Sequence, residues 1–102
     1  MRLKPGVRVL GIRPELVLVL VAAEPLFSKK GVDLVLTSVI DGKHSRGSLH
    51  YAGAAVDLRS RELTSEEKEE IKVQLTHALG ADYDVVLERN HFHIEFQPKA
   101  PY

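Results

Sequence analysis

The chain has 102 residues, enough for one small domain spanning 1–102 and not for two. Lys plus Arg and Asp plus Glu balance at 14 each. That excludes the net basic face of a typical nucleic-acid binder and leaves nothing to draw the chain to an anionic membrane. The absence of cysteine excludes disulfide scaffolds, thiolate metal sites and thiol nucleophiles.

The first segment, "MRLKPGVRVLGIRPELVLVLVAAEP", places basic residues before an apolar run from Leu16 to Ala23. A secretory leader has a similar outline. Pro14 and Glu15 interrupt it immediately before the run, and eight residues are too few to cross a bilayer. The run is therefore read as a buried helix over about 14–29. Pro14 suits its first turn, Pro25 disturbs its last turns and Gly31 lies just past its end. Its valines are poor helix formers, so burial has to hold it, and residues 16–22 taken alone also fit a strand.

"VDLVLTSVI", 32–40, is rich in β-branched residues and reads as a strand. "DGKHSRGS", 41–48, reads as loop, and "AAVDLRS", 54–60, as a second strand. "TSEE", 64–67, is a capping box in which Thr64 caps a helix and Glu67 reaches back. Ile71, Leu75, Ala78 and Leu79 give that helix an apolar stripe, and Gly80 ends it. The charge run "SEEKEEIK" reads as a solvated face, and His77 as an ordinary surface histidine. "DYDVVLE", 82–88, and "HFHIEF", 91–96, read as strands joined tightly through Arg89 and Asn90. The order predicts an α+β fold, with a small antiparallel sheet packed against helices on one side.

Side chains alternate along a strand, so Phe92, Ile94 and Phe96 share the core face while His91, His93 and Glu95 share the other. Two histidines there can simply be solvated. Asp57 changes the weighing, because it is embedded in the apolar run "AAVDL". A carboxylate in such a place is costly unless it is paired, for example with Arg59 or Arg46, or binds a metal. With His50 in the preceding loop, the chain offers two imidazoles and a carboxylate. Catalytic zinc uses three such ligands and keeps a fourth position for water, whose pKa falls toward 7. A carboxylate is then needed to move protons, and Glu88 at the hairpin end is the candidate.

"SLHYAGAAVD" fits the pattern S-x-H-x-x-G-x-A-x-D at Ser48, His50, Gly53, Ala55 and Asp57. With the downstream "HFH", it resembles the zinc-peptidase superfamily of D-alanyl-D-alanine carboxypeptidases of the VanY type, peptidoglycan endopeptidases, phage endolysins and the hedgehog signalling domain. The hedgehog likeness extends through "HSRGSLHYAGAAVDL", and "DVVLERNHFHIEF" is similar to small bacterial and phage members. The motifs span 37–60 and 83–97, about half the chain.

This resemblance implies a hedgehog/DD-peptidase-like fold and a single Zn2+ held by His50, Asp57 and His93. It implies Glu88 as catalytic base and His91 as the donor that stabilises the oxyanion. His44 would line the site and Ser48 would orient substrate or the ligand loop, while Arg46 is the candidate to substitute for the family's substrate-binding arginine. The implied activity is hydrolysis of a peptide bond in peptidoglycan stem peptides, at the cell wall, by a monomeric enzyme similar to phage or phage-derived members. A zinc-containing binding module without turnover is the alternative.

The chain departs from the family at two places. Where many carboxypeptidases carry "SGYR", with an arginine that binds substrate, this chain reads "TSVI", 37–40. Many relatives also place the base three residues before the last ligand. Asn90 holds that position relative to His93, whereas taking His91 as the ligand restores "ExxH" with Glu88. His93 is preferred because "HIEF" resembles the segment around the family's last ligand.

Overall fold

The structure is a computed structural model that describes residues 1–40 and 54–98. In chain order these form β1 (Arg2–Leu3), α1 (Pro14–Lys29), β2 (Val35–Ile40), β3 (Ala55–Arg59), α2 (Ser65–Leu79), β4 (Tyr83–Leu87) and β5 (His91–Phe96). The expected loop at 41–48 lies outside the described residues.

Burial at Leu16, Val19, Ala23 and Phe27 makes the apolar run a helix rather than a strand. These positions recur at helical spacing and face the core together, so packing overrides the β preference of the valines. The helix runs on through Pro25, which sits on the exposed side, where water can serve the carbonyl left without a donor. It closes in a Schellman motif. The Val32 N–H donates to the Phe27 carbonyl and the Gly31 N–H to that of Ser28, with Gly31 at φ +70°.

α2 begins with the expected capping box. The Glu67 N–H donates to Thr64 Oγ1 at 3.1 Å, and the Thr64 N–H to Glu67 Oε1 at 2.8 Å. Ile71 and Leu75 are buried, but Ala78 is exposed and leaves the expected stripe. The helix meets its neighbours along 71, 75 and 79, a narrower seam than the sequence stripe. His77 is exposed, as expected, whereas Glu70 is not merely solvated: it pairs with Lys30 at 2.7 Å beyond the end of α1.

The sheet order is β1-β2-β3-β5-β4. The four longer strands pair antiparallel, as expected, but β1 joins the edge parallel to β2, so the sheet is mixed. Two residues are too short to show alternation, and β1 is defined by its bonds: the Arg2 N–H donates to the Leu34 carbonyl and the Lys4 N–H to that of Leu36. α1 packs on α2 and β5, and α2 on β4. Leu36, Val56, Leu58, Phe92 and Ile94 face the helices, and Phe27 meets Phe92 edge-on with centroids 6.0 Å apart. The α+β class stands. Among the described residues, the helices cover one face of the sheet and no element covers the other, called here the open face.

Candidate metal and catalytic site

The open face is ordered by register. Ser38, Asp57, His93 and Val86 form one row across β2, β3, β5 and β4. Arg59 pairs with His91 in the next row, and Ala55, Glu95 and Asp84 form the row on the other side. β3 and β5 are neighbouring inner strands, so Asp57 and His93 stand side by side near the middle of the sheet.

A bulge in β2 helps build this face. Leu36 pairs with Leu58 and Ser38 with Asp57, so two steps on β2 match one on β3. Without the extra residue, Leu36 and Ser38 would face the same way. With it, Leu36 enters the core while Ser38 joins the Asp57 row. Thr37, the extra residue, donates its hydroxyl to the Asp57 carbonyl at 3.2 Å and holds that strand in place. The bulge falls within "TSVI", where the chain departs from the carboxypeptidase pattern.

Asp57 is paired, and its partner is neither of the arginines considered from sequence. His93 Nδ1–H donates to Asp57 Oδ1 at 2.7 Å, with both side chains only about a fifth exposed. The other ring nitrogen, Nε2–H, donates to Glu95 Oε1 at 2.9 Å. Burial disfavours charge on this imidazole. Its hydrogen bonds to Glu95 and Asp57, together with their negative charges, outweigh burial and raise its pKa above the ordinary 6.5. The imidazolium form, with a proton on each nitrogen, matches this geometry.

His91 comes next to the pair. Its Nδ1–H donates to Asn90 Oδ1 at 2.9 Å, which turns Nε2 toward the site. Nε2 lies 3.9 Å from Asp57 Oδ1 and 3.8 Å from Glu88 Oε1. The hairpin sets this arrangement: the Glu88 N–H donates to the His91 carbonyl at 2.8 Å, with only Arg89 and Asn90 between. Glu88 is half exposed and open to water. Beside β4, a shallow cleft lined by Lys72, Thr76, Asp84, Val86, His93 and Glu95 reaches the same imidazole.

No protein-family model, curated protein or solved structure matches the chain. The site is therefore read from its own residues.

Of the residues singled out from sequence, Asp57, Glu88, His91 and His93 come together on one face. His44, Arg46, Ser48 and His50 lie outside the described residues. Among the described residues no group of three or more His, Cys, Asp or Glu side chains is placed to hold a metal ion. Asp57 and His93 form two-thirds of the set named from the motif, and His50 is the missing member. The donors suit zinc, which takes imidazole nitrogen and carboxylate oxygen at about 2.0–2.2 Å. Tetrahedral ligand atoms at that radius lie about 3.4 Å apart, so Nδ1 and Oδ1, now 2.7 Å apart, need to part by about 0.7 Å. Sequence reading gave no role to Asn90, Thr37 or Glu95. For Glu95 the signal was present, since it lies two residues after His93 on the same strand face.

Proposed function

We propose that the chain is a zinc metallopeptidase of hedgehog/DD-peptidase-like fold that hydrolyses a peptide bond in peptidoglycan stem peptides. The observation that carries this reading is the contact between Asp57 and His93, the residues named as ligands by two motifs 36 positions apart, at 2.7 Å on the inner strands. An unrelated use of "HxxGxAxD" and "HFH" gives no reason for Asp57 and His93 to adjoin.

His50, Asp57 and His93 would hold the ion. When bound, zinc supplies a Lewis acid for the scissile carbonyl and lowers the pKa of a coordinated water. Glu88, within reach of solvent at the hairpin end, accepts a proton and passes it to the leaving amine. His91 uses Nδ1–H on Asn90, so only its imidazolium form has an Nε2–H to donate to the oxyanion. The scissile bond is D-Ala-D-Ala or L-Ala–D-amino acid, presented along the open face by a stem peptide.

A second reading, a zinc-containing binding module without turnover, draws on the hedgehog-like "HSRGSLHYAGAAVDL". The deciding experiment measures metal content and muropeptide hydrolysis together. About one zinc per chain is expected, lost in His50→Ala and Asp57→Ala. Glu88→Ala is expected to keep zinc and to lose hydrolysis by at least about 100-fold. Zinc retained with no hydrolysis by the parent selects the binding module. No zinc above background in a folded parent removes both.

A further inference from the structure

His93 has two ring nitrogens, and only one can hold a cation shared with Asp57. We propose that Glu95 is the positioning residue that selects it: by accepting Nε2–H, Glu95 turns Nδ1 toward Asp57 and makes Nδ1 the ligand atom. This inference rests on the zinc reading.

The geometry is direct. Glu95 Oε1 accepts from Nε2 at 2.9 Å, while Nδ1 lies 2.7 Å from Asp57. The two contacts use opposite sides of the ring and leave it no free rotation. Glu95 is itself held, because its other oxygen accepts from Gln97 Nε2. Residues 93, 95 and 97 are spaced by the strand period, so the relay runs along one edge of β5 and into the residue just past it. In the neighbouring row position Glu95 faces Ala55, whose small side chain leaves room for the carboxylate to lean toward His93.

The chemistry explains the value of the arrangement. An imidazole that donates one N–H to a carboxylate is fixed in tautomer and orientation, and its other nitrogen becomes more basic. Loss of such an outer partner weakens metal affinity by about 10- to 100-fold. A glutamine at the position retains an oxygen acceptor but not the charge, so it should preserve the tautomer and recover part of the affinity. A merely structural role for Glu95 gives no such order.

The test is the zinc dissociation constant of the full chain, measured by competition with a chromophoric chelator, for the parent, Glu95→Gln and Glu95→Ala. Glu66→Gln, on the exposed start of α2, is the control. Ring 15N shifts of His93 in the zinc-loaded protein report which nitrogen binds, and backbone amide spectra confirm the fold. The expected result is Nδ1 ligation in the parent, a loss of about 10- to 100-fold in Glu95→Ala and a smaller loss in Glu95→Gln. Equal affinities in folded variants, or ligation through Nε2, overturn the role of Glu95 and leave the zinc reading standing. A folded parent that binds no zinc overturns both.

Discussion

His93 donates to a carboxylate through each ring nitrogen, and that makes its protonation a term in stability. Its folded pKa is raised above 6.5, so folding favours the protonated ring. The contribution is complete below about pH 6.5, the unfolded value, and is lost as pH rises through the higher folded value. Metal-free protein should therefore lose stability on going from mildly acidic to mildly alkaline pH, read as the denaturant midpoint in the presence of chelator. His93→Gln should flatten that part of the profile. If the proposed zinc reading holds, the ion would displace the proton between Nδ1 and Asp57, so its affinity should rise with pH through the same window, with proton release on binding. Asp57 as a costly carboxylate in an apolar run was legible in the sequence. The resemblance grouped it with His93, but their direct hydrogen bond was not legible, because the two are 36 positions apart and only pairing of β3 with β5 brings them together.

Element by element, local signals served best where the backbone itself carries the cause. The Thr64 cap was visible because its partner is three residues away. Thr64→Ala should cost about 1 kcal/mol by removing one cap bond and loosening the return bond from Glu67, measured as a shift in denaturant midpoint with unchanged slope. Gly31 and Gly80 ended the helices where expected, each with positive φ. The run 16–22 was ambiguous for a physical reason: its valines prefer β, and the helix gains from a buried face that exists only once β5 and α2 are in place. The bulge at Thr37 had no sequence signature, since β-branched and polar residues fit either phase of the strand.

Across the whole molecule, Asp57, His91 and His93 lie on inner strands of the sheet, whose other face is sealed by two helices. Rigid inner strands hold side chains more closely than loops do. Native-state amide exchange should show β3 and β5 opening only with global unfolding, and β1, a two-residue edge, opening far more readily. Fast exchange at Asp57 or His93 in an otherwise protected protein would contradict a preorganised face. The expected antiparallel sheet was right for four strands and missed the parallel edge, because a two-residue strand acquires its identity from the partner it bonds.

By itself the sequence determined both helices' ends, the alternation that separates Phe92, Ile94 and Phe96 from His91, His93 and Glu95, and the residues worth watching. Those properties depend on neighbours within a few positions. Tertiary structure alone decided that Asp57 faces His93, that Glu95 takes the far nitrogen, that Glu88 stands opposite His91 and that a fifth strand closes the edge parallel to β2. Each depends on strand register or on side-chain orientation across strands, which local periodicity does not encode.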